Sequence, residues 1–167
     1  MIQLGRDLLV VNRFPPYPRF EAWEPVIHDA LATYRKLADP KGISRVGLRY
    51  INRIVIPEAK IRMEDYFTIY PQLPPAFGER HGSFLVRVEV PAESGQHSVK
   101  ITFGSAPPPG PDAMAFLLDL YDIRDGSCDF EKFEGVVKAA HQHVVDSFEG
   151  GITEKLREIF RPRDRSA

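Results

Sequence analysis

Arginines recur at every fourth position in SRVGLRYINRIVIP, Ser44 to Pro57, as Arg45, Arg49 and Arg53. A guanidinium is planar, permanently charged and forked, so it grips phosphates and carboxylates in a bidentate fashion and stacks on aromatic faces. The surrounding pattern reads as a β-strand, and strand side chains alternate between faces. The three arginines therefore share one face, while Val46, Leu48, Tyr50, Asn52, Ile54 and Ile56 share the other. Alternation in three later stretches adds Arg87, Glu89, Lys100, Thr102, Asp119 and Tyr121 to the arginine side. Arg45, Arg49, Arg53, Arg87, Lys100 and Tyr121 are thus the candidate binding residues, with cations for phosphate and a ring for base stacking. The plainer expectation is a cross-strand lattice in which Asp119 and Glu89 pair with Arg49 and Arg87, since an exposed charged sheet face needs no ligand.

A second set lies on the apolar side. Tyr50, Asn52, His141 and Phe148 are candidates to line a pocket between a sheet and a long carboxy-terminal helix. Asn52 sits among apolar neighbours, where a buried amide must find a partner. His141 and His143 are two apart on a helix, splayed by about 200°, so they do not chelate one ion together. His28, His81 and His97 read as isolated, solvated side chains, the last two in turns. No metal-ligand set is expected. Glu131, Glu134, Glu154 and Glu158 read as solvated helix faces. Neither a GxSxG elbow, a P-loop nor a dinucleotide fingerprint occurs, and Cys128 lies beside acids, surroundings unsuited to a reactive thiolate. Catalytic residues and cofactors are accordingly read as none.

The elements that must position these residues follow from periodicity and breakers. Gln3 to Arg13 reads as a first strand, ended by the prolines of FPPYPRF. Trp23, Val26, Ile27, Ala30, Leu31, Tyr34 and Leu37 fall on one helical face, with Pro25 in the first turn and Asp39, Pro40 and Gly42 as the stop. Met63 to Tyr70 suggests a short helix, followed by the loop QLPPAFGERHG. Ser83 to Val90 and Ser98 to Phe103 read as strands joined by a turn at ESGQ, and Met114 to Tyr121 as a further strand. A long helix begins near Asp129, a suitable N-cap, and is interrupted at Gly150 and Gly151; Ile152 to Phe160 gives another helical segment. This predicts one α+β domain over 1–167, its tail 161–167 frayed. It is a two-layer arrangement in helix-grip or TBP-like order (β-α-β4-α), with an antiparallel sheet of about five strands and helices on one face. Trp23, Leu31, Leu48, Tyr50, Val86, Ile101, Phe116, Leu118, Val137 and Phe148 are the expected core.

Composition bounds the function. Hydrophobic residues make up 43% and charged residues 27% of 167, as in ordinary globular proteins. The net charge of -1 offers no bulk attraction to nucleic acid, so such a partner would need a local basic patch. One cysteine permits no internal disulfide, and neither a signal peptide nor an apolar run of ~20 residues is present, which points to the cytoplasm and away from membranes. The apolar LLVV of the first strand suggests an exposed sheet edge that pairs with a second copy, a homodimer.

The runs RVGLRYINRI, LVVNRFPPYP, LLDLYDI and HVVDSFEGGITEKLREIF together resemble a sporadically distributed family of uncharacterised bacterial proteins marked by GLRYxNR. The likeness spans nearly the whole chain. Family members usually carry a further amino-terminal segment, so the resemblance implies the family's later portion or a short member. It implies no activity, cofactor or catalytic residue. The functional expectation is therefore a non-catalytic binding module for a protein or nucleic acid, using the arginine-bearing face; the alternative is a small-molecule pocket protein or enzyme.

Overall fold

The computed structural model describes residues 1–77, 82–92 and 97–160. The expected ESGQ turn, His81 and the tail 161–167 lie outside the described residues. The chain divides into two compact units, Met1–Ser44 with Ser127–Glu134 and Arg45–Gly126 with Gly135–Ala167.

In the first unit, the expected strand from Gln3 to Arg13 is instead a hairpin. Strand β1 (Ile2–Gly5) pairs antiparallel with β2 (Leu8–Val11), Ile2 opposite Val11 and Gly5 opposite Leu8. Arg6 and Asp7 make the turn between them, so the chain reverses within the stretch that looked continuous. Helix α1 (Phe20–Ala38) buries Ile27, Ala30 and Tyr34, the inward positions of the expected periodic face. It begins at Phe20, which places Pro25 beyond the first turn, where the ring removes the donor that the Glu21 carbonyl would receive. Asp39 ends the helix in the left-handed region, φ 43°, its N–H donating to the Arg35 carbonyl. The Tyr34 hydroxyl donates to the Arg6 carbonyl at 2.8 Å, which ties α1 to the hairpin turn. Phe130–Lys132 forms a single 3-10 turn after Asp129, whose side chain makes no capping hydrogen bond.

The second unit is built on a four-stranded antiparallel sheet in the order β3-β6-β5-β4, from β3 (Ile43–Ile56), β4 (Leu85–Pro91), β5 (His97–Ala106) and β6 (Met114–Cys128). The sheet thus has four strands where about five were expected, because the amino-terminal segment pairs with itself. Val46, Leu48, Ile54 and Ile56 are buried, while Arg45, Arg49, Ile51 and Arg53 are exposed, as the alternation requires. The opposing register is Val86–Phe103–Leu118 and Val88–Ile101–Leu120 across β4, β5 and β6.

Helix α2 (Phe133–Gly151) buries Val136, Val137, Ala140 and Val144, and Val144 joins Phe103, Phe116, Leu118 and Leu120 in the core. Helix α3 (Glu154–Phe160) adds Leu156. Met63 to Tyr70 is not a helix. It makes one 3-10 turn, Met63–Asp65, then an isolated bridge between Phe67 and Ile152, with the Thr153 N–H donating to the Tyr66 carbonyl. The reason is packing: Tyr66 and Phe67 are both fully buried, and the bridge to Ile152 with the bond from Thr153 draws this segment out against the chain that precedes α3. Complete burial of each such ring contributes about 1.5–3 kcal/mol, more than a short helix gains from propensity. Of the expected core, Leu48, Phe116, Leu118 and Val137 are buried, whereas Trp23, Leu31, Tyr50, Val86, Ile101 and Phe148 are half-buried. Among the described residues, no helix is long and apolar enough to cross a membrane.

Candidate functional site

On the outer face of the sheet, Arg49 on β3 donates Nε and Nη2 to the two carboxylate oxygens of Asp119 on neighbouring β6, at 2.8 and 2.5 Å. Arg45 donates to Asp125 at 2.5 Å, and Arg53 to the Pro107 carbonyl at 2.8 Å. These carboxylate bonds hold the Arg45 and Arg49 guanidinium pKa values above their ordinary level. Glu89 takes Lys100 at 3.6 Å rather than Arg87, because Lys100 stands directly opposite it on β5 while Arg87 faces Thr102. Tyr121 lies flat on β3. A Cβ built at Gly47 would come within 2.7 Å of the far end of its ring, so a side chain there would make the ring shift. The Arg49 guanidinium is 5.9 Å from the same ring.

The face also carries exposed apolar side chains. Leu85, Gly104 and Leu117 form one row across β4, β5 and β6, with the Leu85 side chain folded over Gly104. Leu85 is 72% exposed and Ile51 on β3 53% exposed; Leu117 is also exposed.

The four candidate pocket residues are engaged on the inner side. The Asn52 amide donates to the Leu118 carbonyl at 3.1 Å, the Tyr50 hydroxyl meets His141 Nδ1 at 3.0 Å, and Phe148 packs partly on the core and near Phe160.

The inner face holds one arrangement that sequence reading missed. Asp122 on β6 is only 2% exposed, the next inward position after Phe116, Leu118 and Leu120. Its Oδ2 is met by His97 Nε2 from β5 and by His143 Nδ1 from α2, the latter at 2.9 Å. The two imidazole rings stand 4.4 Å apart, inclined by 32°. His97 is therefore not a solvated turn residue. It is the first residue of β5, where its side chain is half-buried against Asp122. His141 and His143 do diverge, one to Tyr50 and one to Asp122. The alternation through Leu120 was the signal that would have placed Asp122 inward, one residue past the point where the strand was expected to end.

No family model, curated protein or solved structure matches the chain, so function is argued from these geometries.

Proposed function

We propose that the chain is a non-catalytic interaction module of the cytoplasm that docks a protein partner on the outer face of its four-stranded sheet. The observation that carries this reading is the exposure of Ile51, Leu85 and Leu117 among Arg45, Arg49, Arg53 and Arg87 on one continuous face. Apolar surface left in water costs about 25 cal/mol per Å², and exposed apolar side chains grouped with arginines suit a buried interface core with a polar rim. A partner with apolar side chains flanked by carboxylates complements this face. Nucleic acid fits it less well, because Asp119, Asp125 and Glu89 stand on the same side and would meet phosphates with like charge.

The helix-grip, TBP-like arrangement belongs to the same proposal, with α2 as the long helix on the inner layer. The likeness to the GLRYxNR family carries no activity to set against it. A small-molecule pocket under α2 has less support, since the Asn52 amide and the Tyr50 hydroxyl already have partners.

Site-specific photo-crosslinking in cells tests the reading. A crosslinking residue at Ile51 or Leu85 is expected to capture a discrete protein that a residue at Glu158, on α3, does not. Capture of RNA or DNA at those positions, or the same products from all three, would count against a protein-docking face.

A further inference from the structure

We propose that His97, Asp122 and His143 form a binding site for a borderline divalent transition-metal ion of the Zn2+ class, a site separate from the outer face. Three elements supply one donor each: β5 gives His97 Nε2, β6 gives an Asp122 oxygen and α2 gives His143 Nδ1. These donor atoms all lie within 4.8 Å of one another. Metal–nitrogen and metal–oxygen bonds of about 2.0–2.2 Å put tetrahedral donors about 3.4 Å apart, so modest side-chain rotations close the set around one ion.

Two further observations favour an ion over an incidental cluster. Asp122 is a carboxylate at 2% exposure in a row of otherwise apolar inward residues, where a charge needs strong compensation. The two imidazoles lie side by side, 4.4 Å apart, with one nitrogen of each turned to the same carboxylate oxygen. The three atoms therefore converge on one small volume, and an ion entering it would take the place of the protons that now bridge the rings to the acid. Two nitrogens and one carboxylate make a donor set for Zn2+, Fe2+, Co2+ or Ni2+, while Ca2+ and Mg2+ prefer oxygen throughout. Placement on two strands and a helix, rather than on loops, favours holding the donors in position. His143 has 43% of its side chain exposed, so the site opens to solvent on that side, and three protein donors leave a coordination position for water.

The competing account is a hydrogen-bonded His–Asp–His cluster with no affinity for metal. The full chain, stripped with a chelator, should be titrated with Co2+ and followed by visible absorption, with Zn2+ as competitor and Mg2+ and Ca2+ as controls. The expected result is one Co2+ per chain with ligand-field bands, displacement by Zn2+, no response to Mg2+ or Ca2+, and a melting temperature that climbs with Zn2+ concentration. His143→Ala, at the exposed ligand, should weaken Co2+ binding by about tenfold or more while far-UV circular dichroism stays unchanged. His141→Ala, two residues away and bonded to Tyr50, should bind Co2+ as the parent does. Asp122→Asn, which removes the charged donor, should weaken Co2+ binding likewise. Absence of ligand-field bands, or His143→Ala binding Co2+ as tightly as the parent, overturns the proposal.

Discussion

The Arg49 guanidinium donates two hydrogen bonds to Asp119 on a face open to water, where an ion pair contributes about 0.2–1 kcal/mol. Arg49→Ala should therefore lower the unfolding free energy from urea titration by no more than that amount, which makes it a clean probe of binding; a loss of several kcal/mol would mean the pair is structural. Two glycines on the same face separate by what they touch. At Gly47 an added Cβ meets the far end of the Tyr121 ring, which can swing aside, whereas at Gly104 it meets the Phe84 carbonyl oxygen at 2.9 Å, which is backbone. Gly104→Ala should cost about 1–3 kcal/mol of unfolding free energy and Gly47→Ala distinctly less, measured by denaturant titration. Equal costs would contradict this. The arginine stripe was legible in the sequence because a period of four is also a multiple of two. The His97–Asp122–His143 group was not, because its members are far apart in the chain, His97 read as a solvated turn residue, and the strand was expected to end before Asp122.

Strand β4 is an edge of the sheet, and its inward residues Val88 and Val90 remain exposed, as does Leu85 on the opposite face. The homodimer expected from the amino-terminal segment is proposed instead through β4, whose open side carries the exposed Val88 and Val90. Light scattering at micromolar concentration should give twice the monomer mass of 19.0 kDa, and Val88→Lys should restore the monomer; a parent protein that is already monomeric removes this proposal. The Met63–Asp65 turn makes a different prediction. Burial, then the hydrogen bond to Glu58, raises the Tyr66 phenol above its usual value near 10, and the bond to Tyr66 raises Lys155. Folded-state values above the unfolded ones mean stability that is complete below about pH 10 and lost as pH rises through the folded values. The urea midpoint should fall above about pH 10, and Tyr66→Phe should flatten that fall; an identical slope in the variant would refute the assignment. These elements also show where sequence reading stops. Strands β3 and β6 announced themselves by alternation, and α2 by its helical face. The Tyr66–Phe67 segment has no periodicity, since its contacts to Ile152 and Thr153 are made across some eighty residues of chain. The hairpin was hidden because Arg6 and Asp7 are a weaker turn signal than an Asn-Gly pair.

At the scale of the whole molecule, a net charge of -1 spread over 167 residues gives no general attraction to any partner. The proposed recognition then rests on local surface, and the outer sheet face is where guanidinium groups and exposed aliphatic side chains coincide. A face of that kind has a defined signature: apolar contacts at its centre set the dissociation rate, and the surrounding charges set the salt dependence of association. Ile51 is exposed and outward, so Ile51→Asp should cost no more than about 1 kcal/mol of stability while placing a charge in the middle of the proposed docking face. The decisive measurement is the affinity of the crosslinked partner for the purified chain, taken across a salt series with Ile51→Asp and with Arg49→Ala combined with Arg53→Ala. The account predicts at least about a tenfold weakening for Ile51→Asp and a flatter salt dependence for the arginine pair; parental affinity and an unchanged salt slope in both would contradict it.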